Sequence, residues 1–110
     1  IEAAVDAGAV CANADGDQRT QLRRFASHIG LAFQVIDDVL DATASSEALG
    51  KTAGKDLSAR KSTYVSHLGI DGATAEAHRL LDAALEQLAP WAEAAAPLQE
   101  IARRMVDRSR

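Results

Sequence analysis

The apolar positions of this chain fall into stripes of helical period, punctuated by a few glycines and prolines. Ile1, Ala4, Val5, Gly8, Ala9 and Ala12 recur at intervals of three and four and predict the tail of a helix from residue 1 to about 14. The small residues on that face allow close helix contact. Asn13 to Gly16 predict a turn, with Asp15 or Asp17 placed to cap the next helix. A second stripe, Leu22, Phe25, Ile29, Phe33, Ile36 and Leu40, predicts a helix from about Asp17 to Ala42. Its length of roughly 39 Å is large for so small a chain and suggests the central helix of a larger bundle. Gly30 interrupts it at a cost of about 1 kcal/mol relative to alanine; close packing against a neighbour is a better reason for it than a hinge.

Residues 43 to 60 carry no stripe and predict a long connection with a short helical turn at Glu47 to Leu49. Connections of that length are commonly functional or disordered. A short helix is expected from about Lys61 to Leu68, ended by Gly69. Asp71 and Thr74 offer caps for a helix from about Ala73 to Leu88, whose buried face is Ala77, Leu80, Leu81, Ala84, Leu85 and Leu88. Pro90 marks its end, and Trp91 reads as a packing anchor. Pro97 suits the first turn of a last helix, with Leu98, Ile101, Ala102, Met105 and Val106 as its apolar face. The fold class is all-α, an antiparallel helix bundle, and 110 residues suffice for one domain and not for two.

Composition narrows the function classes. Hydrophobic residues make up 47% of the chain but only 4% is aromatic, so the core is built largely from alanine and small aliphatics. A net charge of −4 argues against a nucleic-acid surface. The single Cys11 excludes an internal disulfide and points to a reducing, cytoplasmic compartment. No apolar run approaches the roughly 20 residues of a membrane span. His28, His67 and His78 share no metal-ligand spacing.

The chemistry concentrates between Phe33 and Tyr64. Asp37, Asp38 and Asp41 form a DDxxD pattern near the expected end of the long helix. Spacings of three and four put Asp41 on one face with each of the others. Each like-charge pair costs a few tenths of a kcal/mol, and a helix C-terminus disfavours anions further. Clustered acids also occur on ordinary solvated helix faces. If the cluster is a site, its donors are hard oxygens only, which favours Mg²⁺ or Mn²⁺ over Zn²⁺. Downstream, Gly50 and Gly54 flank Lys51 and precede Lys55, Asp56, Arg60 and Lys61. Lysines on a glycine-containing loop suit phosphate, so the stretch suggests a metal–diphosphate site.

The order FQVIDDVLD, GK, GKD and KSTY resembles the second aspartate-rich region of polyprenyl diphosphate synthases, with bacterial farnesyl and geranylgeranyl diphosphate synthases the nearest in pattern. The similarity extends to Ile1–Gly8 and Asp71–Arg108. The resemblance implies the C-terminal part of the isoprenoid synthase fold. It implies a transferase that ionises an allylic diphosphate, adds isopentenyl diphosphate and loses a proton. By the same resemblance Asp37 binds Mg²⁺ directly, Asp38 and Asp41 complete or support that site, and Asp56 lies behind them. Lys51 and Lys61 hold the allylic diphosphate, and Phe33 and Gln34 face the isoprenoids. Arg103, Arg104, Arg108 and Arg110 read first as complements to a helix dipole; the resemblance offers Arg108 and Arg110 a second role, closing over the other diphosphate. Val65, Arg60 and the Ala44–Ser45 pair depart from the family pattern and leave loop shape and substrate choice open.

Family members are near three times this length, with a first aspartate-rich motif upstream. A chain that begins with Ile1 is therefore expected to be a truncated piece, inactive alone. Two other readings stand beside it: a catalytically silent homologue that binds an active subunit, and a class I terpene cyclase, which also uses DDxxD. The basic loop favours the synthase over the cyclase. Without upstream helices, the stripe from Leu22 to Leu40 is expected to be only part covered, which predicts a homo-oligomer.

Overall fold

The computed structural model describes residues 1–49 and 63–107, with side chains placed for 1–45 and 63–107. Among the described residues there are four α-helices and no strand: α1 (Glu2–Cys11), α2 (Gly16–Leu49), α3 (Tyr64–Gln87) and, after a 3-10 segment at Ala89–Ala95, α4 (Ala96–Asp107). The all-α expectation holds.

The turn between α1 and α2 follows from two local devices. Asn13 takes a left-handed φ of 58°. Its N–H donates to Val10 O and that of Ala14 to Ala9 O, each at 3.0 Å, so the last carbonyls of α1 are satisfied by a Schellman closure. Asp15 then opens α2 with a reciprocal cap. Its Oδ1 accepts from Gln18 N at 2.8 Å, and its own N–H donates to Gln18 Oε1 at 3.0 Å. Asp15 rather than Asp17 is the capping residue.

The 34 residues of α2 rise about 51 Å and account for the molecule's 53 Å long dimension. The helix does not stop near Ala42, as its apolar stripe suggested, but runs on to Leu49. Nothing in Thr43–Leu49 breaks it: there is no glycine or proline before Gly50, and Thr43 Oγ1 donates back to Val39 O at 2.8 Å. The connection expected from residue 43 is thus helical as far as 49, the turn expected at Glu47–Leu49 included. Residues 50 to 62 lie outside the described part of the chain.

A box formed by Thr63 and Ser66 starts α3: Ser66 N donates to Thr63 Oγ1 at 3.1 Å and Thr63 N to Ser66 Oγ at 2.8 Å. Gly69 sits at φ 77° and kinks the helix where the sequence predicted a stop. The chain bends so tightly there that a Cβ on Gly72 would lie 2.9 Å from Leu68 Cβ. Beyond the kink Thr74 donates its hydroxyl to Ile70 O at 2.8 Å and so does not act as a cap.

The core is the seam between α2 and α3. Phe25, Ala26, Ile29, Ala32, Val35, Ile36 and Val39 are buried on one side, with Ala73, Ala77, Leu80, Leu81, Ala84 and Leu88 on the other. Gln21 Nε2 reaches Gln87 O at 3.4 Å, so the start of α2 meets the end of α3 and the helices run antiparallel. This corrects the expectation that the long stripe is poorly covered: Phe25, Ile29 and Ile36 are buried within the chain, and Leu22, Phe33 and Leu40 are half-buried. Alanines on α3 let the two backbones approach, which is how a core poor in aromatics still closes. Ile101 is the exception on α4, 55% exposed, while Ala102 and Val106 are buried. Gly30 has no heavy atom within 4 Å of where a Cβ would stand, so no close neighbour explains it here. Among the described residues no helix is long and apolar enough to cross a membrane.

Candidate functional site

The acidic residues share one surface of α2 because a helix turns 100° per residue, bringing positions 34, 37, 38 and 41 to one side. Gln34 and Asp41 are exposed, while Asp37 and Asp38 are half-buried at the margin of the α2–α3 seam. Phe33 is half-buried beside them; both Phe33 and Asp37 are engaged in contacts. The apolar neighbours Val35, Ile36 and Val39 are buried. They anchor this stretch of backbone, so the carboxylates stand on a rigid element rather than on a loop.

With Gln21 Nε2 reaching Gln87 O, the antiparallel pairing turns the later part of α2, with its aspartates, toward the start of α3. The acidic surface therefore lies toward the end of the seam at which α3 begins. Tyr64, half-buried against the core, closes the same end. The motif spacing gives no sign of Asp71, an exposed acid on a different helix. The Thr63–Ser66 box is readable from their separation of three.

Because α2 continues to Leu49, the aspartates are not in its last turn. The macrodipole therefore disfavours them less than expected, since its field falls off within a turn. Like-charge repulsion remains: from Phe33 to Ser45 the helix has three aspartates and no lysine or arginine.

Among the described residues, no three His, Cys, Asp or Glu side chains come together as a metal cage. The donor set nevertheless fits a hard divalent cation. Carboxylates on successive turns can give one oxygen each, and the remaining positions suit water and phosphate oxygens, the usual manner of Mg²⁺. Lys51, Asp56, Lys61, Arg108 and Arg110 lie outside the described residues.

The other end of the molecule is built differently. Asp6 of α1 accepts from Arg19 and Arg23 of α2, each at 3.2 Å. The Arg23 hydrogen bond, joined by that of Arg19 and opposed by desolvation, holds the Asp6 carboxyl below its ordinary range. Beside this clamp is an apolar groove of about 560 Å³ lined by Ala4, Val5, Gly8, Leu22, Trp91 and Leu98 among others. Trp91 packs against the core at its edge, as an anchor should.

The sequence matches the family described as polyprenyl synthetase over residues 1–101. It is 45% identical over 109 residues to a dimethylallyltranstransferase of Fischerella ambigua, covering 99% of this chain and 32% of that protein. A chloroplastic geranylgeranyl pyrophosphate synthase of Catharanthus roseus is 52% identical over 103 residues, 93% of this chain and 29% of its own length. A geranylgeranyl diphosphate synthase of Cyanophora paradoxa is 42% identical over 109 residues, 99% of this chain and 36% of its own. The chain spans about a third of the length of these curated relatives.

Proposed function

This chain belongs to the polyprenyl synthetase family, and from that premise we propose that it is the C-terminal part of a single isoprenoid synthase domain. The reaction proposed for the whole protein joins an allylic diphosphate to isopentenyl diphosphate and yields a longer polyprenyl diphosphate, farnesyl or geranylgeranyl. The observation that carries the reading is the acidic surface of α2, three aspartates with no cation in the same stretch of helix. Such a surface has a use where a diphosphate must depart.

In that reaction the allylic C–O bond breaks and its electron pair leaves with diphosphate. The isopentenyl double bond attacks the allylic carbon, and a proton is lost from the adduct. A bound Mg²⁺ or Mn²⁺ supplies positive charge to the departing diphosphate. Asp37 would ligate it, with Asp38 and Asp41 completing the site and Asp56 supporting it. Lys51 and Lys61 would hold the allylic diphosphate, and fixed cations of this kind act most strongly as charge develops. Phe33 and Gln34 would line the path of the isoprenoids, one turn from Asp37. Arg108 and Arg110 are proposed to close over the second diphosphate. A reducing compartment is proposed on the lone Cys11, whether cytoplasm or an organelle.

Assembly into a homo-oligomer is also proposed, on different grounds from the covered stripe of α2. Helix α1 is apolar nearly all round, yet only Ala9 is buried, and such a helix ordinarily lies inside a larger structure.

The test is kinetic. In the enzyme that carries this segment, Asp37→Ala should lower turnover by about 100-fold or more, and Lys51→Ala should weaken allylic substrate binding. Wild-type turnover in the Asp37 variant would show the site to be elsewhere.

A further inference from the structure

We draw no further inference here: the strongest candidate, the apolar groove that Val5, Leu22, Trp91 and Leu98 line between α1, the start of α2 and the chain leading into α4, is an unpartnered apolar face, and nothing in the structure shows what covers it.

Discussion

Near its start, α2 carries Arg19 and Arg23 and finds Asp6 of α1 at 3.2 Å from each. Further along, between Phe33 and Ser45, it carries Asp37, Asp38 and Asp41 and no basic residue at all. The first region answers charge with opposite charge across an interface, tying α1 to α2. The second concentrates like charge on one face while the residues between, Val35, Ile36 and Val39, are buried. The same helix thus places core residues and candidate site residues next to each other in sequence, with Asp37 and Asp38 half-buried at the margin of the seam and Asp41 exposed. Stability and chemistry should therefore separate cleanly by face.

Adjacent substitutions give the sharpest separation. Ile36 is fully buried in the seam, and Ile36→Ala should cost about 2–5 kcal/mol, read by chemical denaturation of the chain. Asp38→Asn, two positions away, removes one like-charge neighbour of Asp41 and should leave stability unchanged or higher by a few tenths of a kcal/mol. If Asp38→Asn destabilises as Ile36→Ala does, the acidic face is structural and the contrast fails.

The Gly69 kink at the acidic end is tested next. Gly72→Ala would set its Cβ 2.9 Å from Leu68 Cβ, an atom next to the backbone with little room to move. A loss of about 1–3 kcal/mol is expected. A neutral outcome would mean that the bend at Gly69, φ 77°, relaxes freely.

How much of this is legible in the sequence depends on which interaction decides each feature. The seam is legible because Phe25, Ile29 and Ile36 repeat at the helical period and tertiary burial follows that period. Gly69 is legible because a positive φ there favours glycine. The far end of α2 is not, because Thr43, Ser45 and Ser46 are weak helix formers. Weak formers do not stop a helix by themselves, and the first breaker is Gly50. Ile101 shares the period of Ala102 and Met105 yet faces out, because α4 is covered on one side only. The 3-10 segment, with Ala92 at φ 50°, carries no sequence signal beyond Pro90. Within the candidate site, the common face of Gln34, Asp37 and Asp41 follows from spacing alone. That α3 brings Asp71 and Tyr64 to the same end depends on helix register, which the sequence of one helix does not contain.

The clamp at the other end predicts a pH response of definite sign. Asp6 is held below its ordinary range by Arg23 and Arg19, so its folded-state pKa is depressed. Its contribution is then fully present above the unfolded value, about 3.9, and is lost as pH falls through the folded value. Thermal melts followed by circular dichroism should show the wild type losing stability below about pH 4. Asp6→Asn should start lower at neutral pH and show a shallower acid decline. Parallel declines in the two proteins would show that the clamp is not what fixes α1.

The smallest expected effect concerns Gly30, which lies between the two regions. It occupies the interior of α2, where glycine costs about 1 kcal/mol relative to alanine through backbone entropy. That cost is usually kept where a neighbour comes too close for a Cβ, but no heavy atom lies within 4 Å of that position. In this chain Gly30→Ala therefore gains helix propensity and meets no clash. The chain should become more stable by about 0.5–1 kcal/mol. The position is half-buried and stands one turn before Gln34, at the near end of the acidic face. If the same substitution stabilises the isolated chain but lowers turnover in the enzyme that carries it, the open space beside Gly30 belongs to the site side of α2. If it stabilises both without kinetic effect, the site begins at Gln34 and Gly30 falls on the structural side of the contrast.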